Sequence, residues 1–355
     1  MRGVPVLIFQ KAEVGKSAEG RIISMYTVGH GPTKVLLWSQ MHGDEPTATM
    51  ALLDMFNFFS QNASHKSVKS IREKLTLLIL PMLNPDGAER FQRRTAQLID
   101  MNRDALQLET PEGRVLREVQ QRYKPDFGFN LHDQDPRSTV GPSKKVTAIA
   151  LLAPATDESR ADNYVRSRAK KIAATFAGVM NQFIPGHLAK YDDTFEPRAF
   201  GDNVQRWGTS TILVESGGWP QDRDKMFLRK MNYVGLLTSL TAIADKFYEG
   251  ADVSVYEQLP FNTKNLYDII IRNGRLKANE SVPALGVDVA FNLEEVVDSS
   301  TKKIQLTAKI VDVGDLGTYT AFEEIDAAGD GLDPTRIRLE TSIPYKDIRT
   351  LIQGK

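Results

Sequence analysis

The chain of 355 residues contains no cysteine. That excludes disulfide bonds and thiolate ligands, so any bound metal must be held by His, Asp or Glu. It does not settle the compartment. An excess of charge of either sign is also lacking, with 45 Lys+Arg against 45 Asp+Glu. A nucleic-acid binder would carry a basic excess, so no nucleic-acid partner is expected. No apolar run reaches the ~18 residues a membrane-spanning helix needs, and no span is expected. The first ten residues hold one arginine and only a short apolar run, Val4 to Phe9, too short for a signal peptide. An export signal removed earlier is compatible with this, so cytoplasm and periplasm both stay open. No internal repeat is visible. What is present is ordinary for a globular protein: 41% hydrophobic and 25% charged residues, in a length that suits about two domains.

The order of patterns gives the fold class. Apolar runs at Arg21–Val28, Val35–Trp38, Leu75–Leu80, Phe127–Leu131, Ala148–Leu152 and Thr211–Val214 read as strands, most of them buried. Helical spacing of apolar residues marks Thr47–Phe59, Pro111–Tyr123, Asp162–Met180 and Lys225–Tyr248. Strands alternating with helices imply an α/β domain over residues 1–250, a mixed central sheet with helices on both faces. Beyond Gly250 the grammar changes. Leu266–Arg272, Val287–Leu293, Ile304–Val313 and Ile337–Leu339 are strand-like runs between Gly, Asn and Asp turns, so residues 251–355 read as a small β-rich domain. Asp326 to Gly331 has the look of a calcium loop but lacks the alternating acidic ligands and closing Glu, and reads as a solvated turn.

The residues with chemical potential cluster at strand ends. Val35–Trp38 leads into Ser39-Gln40-Met41-His42-Gly43-Asp44-Glu45, and in open α/β sheets the carboxyl ends of strands are where sites lie. His42 and Glu45, three residues apart, offer an imidazole nitrogen and a carboxylate oxygen to one ion. A second strand runs into Asn84-Pro85-Asp86-Gly87 and the segment up to Arg103; a third delivers His132, and a fourth ends in Glu215. An apolar strand that ends in His or Glu must leave that group wet, paired or metal-bound. Two His and one Glu as ligands, with a Glu to spare, make the kit of a catalytic zinc site with an open position. His30 reads as a turn residue, and His65 and His187 stand in polar loops and read as surface residues.

The ordered set His42-Gly43-Asp44-Glu45, Asn84-Pro85-Asp86-Gly87, Arg93, Asp100-Met101-Asn102-Arg103, Leu131-His132 and Val214-Glu215-Ser216 resembles the zinc carboxypeptidase family, the carboxypeptidase A and B type. The resemblance covers roughly residues 20 to 245. It implies one zinc per chain on His42, Glu45 and His132, with Glu215 as general base and acid. It implies an arginine that polarises the scissile carbonyl, Arg93 by its distance from Asp100, with Arg90 and Arg94 as neighbours able to replace it. Asn102 and Arg103 would hold a terminal carboxylate, the guanidinium pairing with it bidentately. The substrate would be a peptide or a small molecule derived from an amino acid. A Tyr expected on a loop before the catalytic Glu has only Tyr191 as a nearby candidate, in a segment that matches poorly. Asp202 there either confers a preference for basic residues or is an exposed turn residue.

Three readings remain open at this point. The first is a zinc exopeptidase acting on a C-terminal residue. The second is a deacylase of N-acyl amino acids of the aspartoacylase and succinylglutamate desuccinylase type, a branch with a β-rich C-terminal domain. The third is a non-catalytic binding protein, against which Glu215 argues. The Asn-Pro-Asp-Gly turn and the 82 residues between His132 and Glu215 suit the first better. The oligomeric state is not legible.

Overall fold

A computed structural model describes residues 9–277, 279, 281–297 and 304–353. Most of the N-terminal run Val4–Phe9 lies outside them. Two compact units appear, Met1–Pro136 with Lys145–Asn262, and Arg137–Lys144 with Thr263–Lys355.

In the first unit the elements run β1 (Gln10–Lys16), β2 (Ile22–Val28), β3 (Thr33–Trp38), α1 (Thr47–Gln61), α2 (Lys66–Lys74), β4 (Leu75–Leu80), α3 (Pro85–Glu89), α4 (Pro111–Tyr123) and β5 (Phe127–Asp133). After β6 (Thr139–Val140), which belongs to the other unit, come β7 (Ile149–Leu152), α5 (Tyr164–Met180), β8 (Leu188–Lys190), α6 (Phe200–Arg206), β9 (Ser210–Ser216), α7 (Met226–Ala244) and α8 (Ser254–Glu257). The eight-stranded sheet has the order β1-β2-β4-β3-β5-β9-β7-β8. Its centre, β4, β3, β5 and β9, is parallel, and β1, β2 and β7 run antiparallel to their inner neighbours.

The apolar strands are apolar throughout because both faces are covered. Val35 and Leu37 of β3 pack with Leu52, Met55, Phe56 and Phe59 of α1 and with Leu236 and Leu240 of α7. Leu36 and Trp38, pointing the other way, pack with Leu116 and Val119 of α4 and Phe200 and Val204 of α6. Helices thus lie on both faces of a mixed sheet, and among the described residues no helix is long and apolar enough to cross a membrane.

Several elements differ from the sequence reading. The Asn84–Gly87 turn is the start of α3, with Asn84 Oδ1 accepting from Gly87 N at 2.9 Å and Pro85 in the first turn, where its missing N–H costs nothing. The helix expected to reach Tyr248 stops at Ala244; Lys246 takes φ 62° and a 3₁₀ turn covers Phe247–Gly250. That turn and α8 belong to the first unit, which ends at Asn262 rather than Gly250. Tyr256 of α8 fastens there, its Oη accepting from Ala153 N at 2.9 Å.

The second unit contains β6, then, after β10 (Asn262–Thr263), the strands β11 (Leu266–Leu276), β12 (Leu285–Val297), β13 (Ile304–Gly314), β14 (Thr320–Asp326), β15 (Gly331–Leu332) and β16 (Ser342–Pro344). Its sheet has the order β14-β11-β12-β13-β16, with β15 on β11, and none of these strands enters the larger sheet. Ile269, Ile271, Val289, Phe291, Ala308 and Ile310 form its core. Ile337–Leu339 is not a strand. Ile337 is buried there, but the chain turns, Thr341 N reaching Arg338 O and Glu340 adopting φ 64°. Asp326–Gly331 is a turn closed by Ala328 N to Asp326 Oδ1 at 2.8 Å.

Candidate metal centre

The segment after β3 is held by backbone bonds to the segment after β4. Leu83 N and Asn84 N donate to Ser39 O and Gln40 O at 3.1 and 2.9 Å. Gln40 turns with φ 44°, and Gly43 presses so closely on α3 that a Cβ there would stand 2.0 Å from the carbonyl carbon of Gly87. This double turn carries His42 and Glu45 inward, where both are buried. His132, the sixth residue of β5, is buried beside them.

Their donor atoms converge. His42 Nδ1 lies 2.7 Å from Glu45 Oε1, His132 Nδ1 lies 2.7 Å from Glu45 Oε2, and the two Nδ1 atoms are 3.2 Å apart. Ligands at ~2.0–2.1 Å from a tetrahedral zinc ion stand about 3.3 Å from one another. The three residues can therefore hold one metal ion, and no second group of this kind occurs among the described residues. Burial opposes ionisation of Glu45, but His132 and His42 outweigh it and hold the carboxyl well below the usual range.

Asp100 is a residue whose part the sequence did not reveal. Its Oδ1 lies 3.1 Å from His42 Nε2, and its Oδ2 accepts from Arg93 Nε and Nη2 at 3.2 and 3.0 Å. A carboxylate on Nε2 fixes the proton there and leaves Nδ1 free as a ligand. Burial would raise the Asp100 pKa, but His42 and Arg93 hold it below the usual range. Arg93 also brings Nη1 to 3.1 Å from His42 Nδ1 and 3.3 Å from Glu45 Oε1, so this arginine, of the three candidates, reaches the triad. Arg90 pairs instead with Glu19, and Arg94 Nη1 donates to Leu98 O.

Glu215 is the register partner of His132 on the adjacent parallel strand, which puts both side chains on one face. Gly217, two residues on, lets the chain pass within 2.1 Å, at a would-be Cβ, of Thr147 O. Glu215 forms no ion pair among the described residues. Burial, with Glu45 and Asp133 nearby, pushes its carboxyl up to about 7 against the pull of His132. Tyr191 lies near the same carboxylates: burial first, then Glu215 and Glu45, raise its phenol pKa.

Asn102 and Arg103 sit on the 3₁₀ turn that follows Asp100. Asn102 Oδ1 accepts from Phe200 N at 2.9 Å, which ties this turn to α6 and leaves the amide nitrogen to serve a ligand. Arg103 is exposed, its Nη1 on Asn102 O at 2.7 Å and its Nε 3.6 Å from Glu196 Oε2. Asp202 is not the exposed turn residue expected. It is buried in α6, accepts from Glu196 N at 3.2 Å, and burial pushes its carboxyl up to about 6. His187 is half-buried, with Nδ1 on Val146 O at 2.8 Å and its ring against Trp219. His65 is exposed, capping α2.

Residues 8–138 match the model of a family described as zinc carboxypeptidase. Over this stretch the chain is similar to the zinc carboxypeptidase family. It is 30% identical over 148 residues to the probable carboxypeptidase 2 of Arthroderma benhamiae, covering 41% of this chain and 28% of that protein. It is 31% identical over 98 residues to the carboxypeptidase SOL1 of Arabidopsis thaliana, covering 26% and 20%. The chain thus spans less than a third of the length of these curated relatives. Among solved structures, a metallo-carboxypeptidase from Burkholderia cenocepacia superposes with a TM-score of 0.54 at 17% identity, over 69% of this chain and 66% of that one. A metallo-carboxypeptidase from Pseudomonas aeruginosa, in complex with (2-guanidinoethylmercapto)succinic acid, gives 0.52 at 17% identity over the same shares. These establish a fold shared with metallo-carboxypeptidases.

Proposed function

We propose that the protein is a zinc-dependent metallocarboxypeptidase that hydrolyses the last amide bond of a peptide. The observation that carries this reading is the convergence of three buried donor atoms, on His42, Glu45 and His132, beside a register-paired carboxylate, Glu215, that forms no ion pair among the described residues. A zinc ion there would supply Lewis acidity toward a carbonyl oxygen and a water molecule. Glu215 takes a proton from the attacking water and hands it to the departing amine as the C–N bond breaks and a C–O bond forms. Its raised pKa suits a group that must accept and release a proton near neutrality. Arg93, with Nη1 already turned toward the triad, donates to the oxygen on which negative charge develops, an interaction often worth about 3 kcal/mol. Arg103 pairs with the terminal carboxylate of the peptide and the Asn102 amide nitrogen donates beside it.

The test is hydrolysis of matched peptides with free and amidated C-termini, and of N-acyl amino acids, by zinc-loaded wild type and Glu215→Gln. We expect cleavage of the free acids, and a kcat lower by roughly 10²–10⁴-fold in the variant, the worth of positioned acid–base catalysis. About one zinc per chain should be retained in both. A variant with most of its activity would remove Glu215 from the mechanism. Turnover confined to N-acyl amino acids would identify a deacylase instead.

A further inference from the structure

Lys225 lies ten residues beyond Glu215 and has no part in the mechanism above. Its surroundings are unusual for a lysine. The side chain is largely buried, with Nζ 3.1 Å from Asp133 Oδ2 and 3.4 Å from the carbonyl oxygen of Ser216. Its backbone is left-handed, φ 55° and ψ 28°, directly before α7, a conformation uncommon outside glycine. Asp133 Oδ2 also accepts from Thr47 Oγ1 at 2.6 Å, and Asp133 N donates to Glu45 Oε2 at 3.2 Å.

These bonds join the segments that carry the site. Asp133 follows His132, Ser216 follows Glu215, and Thr47 stands two residues after Glu45. One ammonium group therefore ties the ends of β5 and β9, and through Asp133 the start of α1. Its charge also offsets the repulsion between the Asp133 carboxylate and that of Glu45, which the Asp133 amide holds at hydrogen-bond distance.

We propose that Lys225 is a positioning residue, which through Asp133 and Ser216 sets Glu45, His132 and Glu215 in the geometry that binds the metal. The inference rests on the reading of the metal centre given above. It predicts that the alignment is present in the metal-free protein and is what zinc meets.

The experiment is zinc affinity of the metal-free full chain, by competition with a chromophoric chelator, for wild type, Lys225→Met, Lys225→Arg and Thr47→Val. The melting temperature of each metal-free protein is measured alongside. Loss of such an outer partner typically weakens metal binding by about 10–100-fold. We expect that loss for Lys225→Met, partial recovery in Lys225→Arg, and a smaller loss in the milder Thr47→Val, which stands as the test if Lys225→Met does not fold. Unchanged affinity in Lys225→Met, or in Thr47→Val if it alone folds, would make the residue merely structural and overturn the proposal. A wild type that takes up no zinc would overturn the metal centre itself, a failure distinguished by appearing without any substitution.

Discussion

At the scale of single residues, the site combines groups that the chain announces with groups that only folding brings in. His42, Glu45, His132 and Glu215 are legible because each interrupts or ends an apolar run, and an ionisable side chain there demands a reason. Asp100 and Lys225 are not, because each acts on a residue far off in sequence: Asp100 reaches His42 across 58 positions, and Lys225 reaches Asp133 across 92. The burial of Asp202 escapes the sequence for a related reason. Its neighbours look polar, yet Phe200 and Val204 draw α6 onto the sheet and bury the carboxyl with them. That burial has a measurable cost. With a folded pKa of about 6 against an ordinary value of 3.8, the folded chain keeps a proton the unfolded chain releases. Stability from this group is therefore lost as pH rises from about 4 to about 6, by up to about 3 kcal/mol. Asp202→Asn keeps the oxygen that accepts from Glu196 N and removes the titration. We expect it to be more stable than wild type at pH 7, with the difference shrinking toward pH 4 in urea unfolding. A difference independent of pH would show that Asp202 ionises normally.

At the scale of elements, the readable ones are those buried on both faces, since a continuous apolar run admits few alternatives. Strand β4 and helix α4 fall where the sequence places them, to the residue. The elements that escaped are mostly polar. In α2 only Val68 and Ile71 are buried, and β1 is an edge strand with no fully buried residue, so neither carries enough apolar period to be seen. The double turn that presents His42 is an element in its own right, since two loops interlock through backbone alone. Gly43→Ala tests this. The added Cβ would meet Gly87 C at 2.0 Å and Ala88 N at 2.2 Å, and backbone cannot step aside as a side chain can. The two turns must separate, which we expect to cost about 1–3 kcal/mol and to weaken zinc binding, because His42 moves with them. Gly178→Ala is the control: it lies within α5, where a Cβ meets nothing within 4 Å, and should be neutral or stabilising by about 0.5–1 kcal/mol. Equal effects of the two substitutions in thermal melts and zinc titrations would mean that the contact at Gly43 relaxes freely.

At the scale of the whole molecule, the change of grammar near Gly250 marks real differences in architecture but not the division of the chain. Helical spacing ends with α7, whereas the first unit continues to Asn262 because α8 still packs on α5. Nor does composition disclose that Arg137–Lys144 leaves the first unit to join the second, since eight residues are too few to shift any average. Within the second unit this excursion is held by Arg137, whose Nε reaches Asp268 Oδ2 at 2.8 Å and whose Nη2 reaches Leu293 O at 3.0 Å, and by Thr139 Oγ1 to Thr263 O at 3.4 Å. All these partners lie beyond Asn262. A chain ending at Asn262 keeps the large sheet, both of its cores and every residue proposed for the metal centre. It deprives the excursion of its anchors. We therefore expect the 1–262 fragment to bind zinc within about tenfold of the full chain, since it keeps every outer partner named above and so avoids the ~10–100-fold loss that removing one costs. Trypsin should cut it rapidly after Arg137, a residue that its bonds to Asp268 and Leu293 hold in place in the full chain, because an unanchored loop opens at little cost. Digestion followed by mass spectrometry reads this site directly. A fragment that resists trypsin there would show that the first unit alone orders the excursion. A fragment that loses zinc would show that the metal centre depends on the second unit, although none of its ligands comes from it.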